Sequence, residues 1–127
     1  MILKERLGSW NAWRRSHLNI RVDLQDAELD GAKLNSIDLG GADLHGAKLH
    51  KTDLSLANLR ETDLVGANLV SARLSGTDLS GADLRQANLS LANLDRALLN
   101  SANLQKSTLN QSLSQRSKAL WSRPESG

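Results

Sequence analysis

Leucine recurs at every fifth position from Leu24 to Leu109, eighteen times without a substitution. Small and polar residues fill the intervals in a fixed order. The position two before the leucine is Ala in 12 repeats, and the position one before it is Asp or Asn in 12. This period is incompatible with one long helix, because at about 100° per residue five steps rotate a side chain by a net of about 140° and spread the leucines around the surface. A single strand fails too, since a step of five alternates faces and sends every second leucine outward. A chain that turns by a similar amount once per repeat keeps every leucine inward. The pattern therefore predicts a repeat protein whose chain wraps into stacked coils sharing one core.

The flanks follow other patterns. Leu3, Leu7, Trp10 and Trp13 fall at the spacing of one helical face. Leu18, Ile20 and Val22 lead into the first repeat, and after Leu109 the register breaks, with Leu113, Leu120 and Trp121 predicting a short helix before Pro124. Three segments result: an N-terminal helical cap over residues 1 to 21, the repeats over residues 22 to 110, and a C-terminal cap helix and tail over residues 111 to 127. A stack of coils exposes leucine and backbone edges at both ends unless these are covered. The capping residues expected from the sequence are Leu7, Trp10, Trp13, Leu113, Leu120 and Trp121, and all three tryptophans lie outside the repeats.

Units such as Ala42-Asp43-Leu44-His45-Gly46, Ala57-Asn58-Leu59-Arg60-Glu61, Ala67-Asn68-Leu69-Val70-Ser71, Ala82-Asp83-Leu84-Arg85-Gln86 and Ala102-Asn103-Leu104-Gln105-Lys106 resemble the A(D/N)LXX unit of the pentapeptide-repeat proteins. Trp10-Asn11-Ala12-Trp13-Arg14 also resembles an N-terminal cap of members from photosynthetic bacteria. The resemblance implies an all-β solenoid, a right-handed quadrilateral β-helix with four pentapeptides per coil, hence about 4.5 coils and a rod about 20 Å tall at the usual strand spacing. It also implies that the leucine and the residue two before it point inward. That second slot then holds Ala or another small residue, and Ile37 is its one oversized occupant, where a local widening is expected. Gly and Ser after the leucines suit tight corners, and the Asp or Asn before each leucine can hydrogen-bond its own backbone at a turn.

Composition narrows the function classes. The chain has 127 residues with no Phe, Tyr or Cys and one Met, so its core is made of Leu and Ala and it holds no thiol chemistry. No apolar run approaches the roughly 20 residues needed to span a bilayer, and Lys4, Glu5 and Arg6 stand where a secretory apolar region would begin. The expectation is a cytoplasmic protein without a membrane segment. The net charge of +2 hides basic ends, with +4 over residues 1 to 21 and +2 over residues 111 to 127, around repeats at −4.

His17, His45 and His50 are read as surface residues without companion metal ligands, and the carboxylates sit on a convex rod without a cleft. The reading is therefore a non-enzymatic scaffold that binds an unidentified protein partner, with no cofactor or metal, and monomeric because both ends are capped. Folding at twenty residues per coil brings Asp23, Asp43, Asp63 and Asp83 into one column followed by Asn103, the candidate partner-facing strip. The outward Leu56, Val65, Val70, Leu91 and Leu98 form a second candidate surface. Two alternatives are a DNA mimic that binds a DNA-binding protein such as gyrase, as some family members do, and nucleic-acid binding through Arg14, Arg15, Arg21, Arg116 and Lys118 in the caps. Lys33, Lys48, Arg60, Arg73, Arg85 and Arg96 interrupt the acidic surface a mimic needs, and the basic groups of the two caps lie at opposite ends of the rod.

Overall fold

The computed structural model describes residues 4 to 112, with the side chains of Lys4 and Glu5 left out. Leu3 and the expected C-terminal cap residues Leu113, Leu120 and Trp121 lie outside the described residues. The described chain opens with α1, Lys4–Arg15. From Asp23 onward the chain passes over itself every twenty residues. Parallel bridges join Asp23 to Asp43, Asp43 to Asp63, Asp63 to Asp83 and Asp83 to Asn103, and three further columns repeat the same step, for example Glu28 to Lys48, Lys33 to Asp53 and Asp38 to Asn58.

The bridges are isolated single residues, and no longer strand forms among the described residues. The reason is the repeat itself. Only three residues per pentapeptide run straight before the next corner, so only the middle one has ladder partners on both sides. Around it the leucine N–H donates to the coil above, as Leu44 does to the Asp63 carbonyl at 2.7 Å, and the residue before the leucine donates to the coil below, as Asp43 does to the Val22 carbonyl at 2.8 Å.

Each corner closes with a turn hydrogen bond in which the N–H three residues on donates to the leucine carbonyl, as Ala47 does to Leu44 at 3.0 Å. The second residue after every leucine, from Asp26 to Gln111, has positive φ, which is the type II pattern. Glycine occupies that position at Gly31, Gly41, Gly46, Gly66, Gly76 and Gly81, whereas twelve corners place a residue with a Cβ in the left-handed region. None of those twelve is β-branched, because branching at Cβ makes that conformation a severe outlier. Replacement of Ser71 (φ 60°) by Val is expected to cost about 1–3 kcal/mol, while Ser71→Gly leaves stability equal or slightly higher; thermal melts of the two variants check the pair.

Leucines from Leu34 through Leu99 are buried, together with the alanines two before them from Ala42 through Ala97, while Ala32 is partly buried. Thr52, Thr62 and Thr77 take the alanine position without leaving a hydroxyl unsatisfied, since each donates to a leucine carbonyl, Leu29, Leu59 and Leu54 respectively, at 2.7–2.8 Å. Ile37 fits there at 4% exposure and lies beside the open space at the N-terminal mouth of the stack.

Candidate functional site

The side chain before each leucine is set by its turn. In all twelve Asp/Asn repeats one side-chain oxygen accepts the N–H of the residue after the leucine, from Asp23 with Gln25 at 3.1 Å to Asn103 with Gln105 at 3.1 Å. This fixes χ1 and leaves the second oxygen or amide free to point along the face. The acidic column is thus a row of carboxylates held in common orientation, with Asp23, Asp43, Asp63 and Asp83 in register.

It is not a bare anionic strip. Asp43 is buried and its second oxygen accepts the Gln25 amide at 2.8 Å. Arg21, from the segment ahead of the repeats, reaches within 4.0 Å of both Asp43 and Asp63, and the His45 ring stands 4.0 Å from Asp63. Arg85 folds back onto Asp83 through two hydrogen bonds at 2.8 and 2.7 Å. That pairing, opposed by burial and aided by the Arg85 N–H, holds the Asp83 carboxyl below its ordinary value. On another face burial pushes Asp78 up, but hydrogen bonds from Ser80 and Arg60 outweigh it and the carboxyl also sits low. Stacked carboxylates repel one another, and these partners offset that repulsion at Asp43, Asp63 and Asp83.

The N-terminal end is anchored by a different set. Trp10 donates its indole N–H to the Asp38 carbonyl at 2.8 Å, and Asn11 both donates to the Ser36 carbonyl and accepts the Asp38 N–H, each at 2.9 Å. Arg14 is 3% exposed. Its guanidinium donates to the carbonyls of His17 at 3.2 Å, Ile20 at 2.9 Å and Gly40 at 2.9 Å. This corrects the placement of Arg14 among cap residues open to phosphate: it is a buried tie between α1, the following segment and the first coil. Leu7 is buried in the common core and Trp10 packs partly against it. Trp13 is 38% exposed and instead stacks on His17, with centroids 4.4 Å apart and planes at 12°. Helical phase explains the difference. Counting from Leu7 at about 100° per residue, Arg14 returns to within about 20° while Trp13 lies about 120° away. The spacing Leu7, Trp10, Asn11, Arg14 was the available signal.

Leu56, Leu91 and Leu98 are exposed and Val65 and Val70 half-buried. Leu56 lies against the corner at Gly76, where a Cβ would meet its Cδ2 at 2.7 Å. His50 is half-buried, its N–H donating to Asp30 across one coil at 2.9 Å. Among the described residues no group of three or more His, Cys, Asp or Glu is placed to hold a metal, and no helix is long and apolar enough to cross a membrane.

The coil, its leucine core and its side-chain turns define the class. Pentapeptide repeats match in eight copies over residues 23–60, 52–90 and 77–113, and the chain belongs to the pentapeptide-repeat family. Solved structures agree. A pentapeptide repeat protein from Nostoc Pcc 7120 is 33% identical over 85% of this chain and 94% of its own, with a TM-score of 0.71. One from the Arabidopsis thaliana thylakoid lumen is 29% identical over 72% of this chain, with a TM-score of 0.68, and this chain spans only 63% of its length. The pentapeptide repeat protein Rfr23 of the cyanobacterium Cyanothece 51142 is 25% identical over 87% of this chain and 97% of its own, with a TM-score of 0.57. Curated proteins yield no match.

Proposed function

We propose that this chain is a non-enzymatic, monomeric scaffold that binds a protein partner along the column of Asp23, Asp43, Asp63 and Asp83. Its form in this reading is a right-handed quadrilateral β-helix of about 4.5 coils over residues 22 to 110, with caps over residues 1 to 21 and 111 to 127. The twenty-residue bridge step, equal to four pentapeptides, supports that form. The observation that carries the binding role is the common orientation of the column: each side chain has one oxygen tied to its turn, so the carboxylates and the Gln25, Arg21 and Arg85 groups paired with them repeat at a fixed rise per coil with little rotamer freedom to lose on binding. Arg21 and Arg85 make the strip mixed in sign, which suits a partner with alternating basic and acidic groups.

A gyrase-directed DNA mimic draws no support from this surface, because Arg21, Arg60 and Arg85 stand directly on its carboxylates. Nucleic-acid binding through the caps loses Arg14 to three backbone carbonyls, and Arg116 and Lys118 lie outside the described residues. A cytoplasmic location belongs to the same proposal; a thylakoid-lumen relative has the same repeats.

The triple change Asp43→Asn, Asp63→Asn, Asp83→Asn tests the reading, since Asn keeps the turn hydrogen bond and removes the charge. Crosslinked capture from the source cell should lose its specific protein partner while the thermal melt stays within a few degrees. Unchanged capture rejects the strip as the binding surface.

A further inference from the structure

The first coil is built from the same leucines as the others but, among the described residues, is covered on one side only. Leu24 and Leu29 remain half-buried, whereas Leu44, Leu49 and Leu64 in later coils are at or below 1% exposure. The anchors of α1 all fall on one stretch of that coil, Ser36 to Gly40, through Trp10, Asn11 and Arg14. What remains is a pocket of about 280 Å³ at the mouth of the stack, walled by Leu24, Leu29, Leu34, Ile37 and Leu39 with the Trp10 indole, and bordered by Arg6.

Two properties of this pocket bear on what it can hold. Its walls are almost wholly hydrocarbon, so an apolar chain laid along them is favoured by leaving water. At its border stands one exposed guanidinium, Arg6, which makes no ion pair among the described residues. The geometry points to a binding site for an aliphatic carboxylate of medium chain length, its tail lying among the first-coil leucines and its head against Arg6. The acidic Asp26, Glu28 and Asp30 are exposed on the same coil, so the cation at the border fixes which way the carboxylate enters. This site is independent of the acidic column and does not rest on the partner reading.

Calorimetric titration of the full chain with sodium decanoate, held below its micelle concentration, tests it. Saturable one-to-one binding is expected. Octanoate should bind about fifteenfold more weakly, because it lacks two methylenes and each contributes about a fourfold factor when buried. Arg6→Gln should weaken decanoate about tenfold and leave 1-decanol unchanged, and the double change Leu24→Phe, Leu29→Phe should abolish binding by filling the pocket. Should the double variant not fold, the chain-length series and Arg6→Gln still decide. Absence of saturable binding, affinity independent of chain length, or binding indifferent to Arg6→Gln overturns the site. A concentration-dependent dimer that decanoate does not dissociate overturns it as well, since a second copy would then own the mouth.

Discussion

Removal of residues 1 to 17 is expected to cost on the order of 5 kcal/mol or more and to leave a chain that scatters light on mild heating. Trp10 is half-buried, so it contributes part of the roughly 3–5 kcal/mol that Trp→Ala costs in cores, Leu7 adds its own burial, and Trp10 also donates to the Asp38 carbonyl. Its loss would expose Leu34, Ile37 and Leu39 at an unpaired edge, the condition under which stacked strands join end to end. Within the segment the point change with the largest effect should be Arg14→Ala. Hydrogen bonds to a charged donor contribute about 1.5–3 kcal/mol each, and Arg14 makes three, yet its charge is buried without a carboxylate and Nε has no hydrogen-bond partner among the described residues. Desolvation offsets part of the gain, so a net loss of about 3 kcal/mol is expected. Chemical denaturation of the two variants against the full chain measures both. A truncated chain that stays soluble with an unchanged midpoint would mean that α1 is not a cap and that Trp10 serves a binding surface.

The contrast between Arg14 and the repeats shows what a sequence of this kind discloses. The inward leucines follow from the period alone, because one residue in five has one geometric use. The Asp/Asn position was equally legible: a short side chain bearing an oxygen before each leucine has a local partner two residues on, and all twelve use it. The corners were legible only in part. Glycine marks six of the left-handed positions, whereas Lys51, Leu56, Glu61 and Arg96 adopt the same φ because stacking on neighbouring coils over-determines it. Arg14 was hidden for a different reason. Its acceptors include a carbonyl 26 residues away, and a backbone acceptor carries no sequence signature. Likewise the acidic column could be aligned by arithmetic, but Arg21, which spans Asp43 and Asp63, comes from outside the repeat and follows no period.

Truncation of a central leucine should separate the interior of the stack from its end. Leu64 is fully buried, with coils on both sides, while Leu24 is half-buried at the mouth. Leu64→Ala is expected to cost about 3–5 kcal/mol, near the top of the range for core leucines. The neighbours cannot collapse into the gap, since each is held by hydrogen bonds to coils above and below, as Leu44 is to Asp63 and Asp63 to Ala42. Leu24→Ala removes less buried surface beside space that already exists and should cost about 1–2 kcal/mol. Position in the stack adds to this difference. In a linear repeat each coil contacts only its neighbours, so a defect in the middle interrupts the coupling between two halves, whereas a defect at the end only shortens the cooperative unit. Leu64→Ala should therefore broaden the unfolding transition as well as shift it, and Leu24→Ala should shift it alone. Equal losses at the two positions, with equally sharp transitions, would show that stability is set by the whole rod rather than coil by coil.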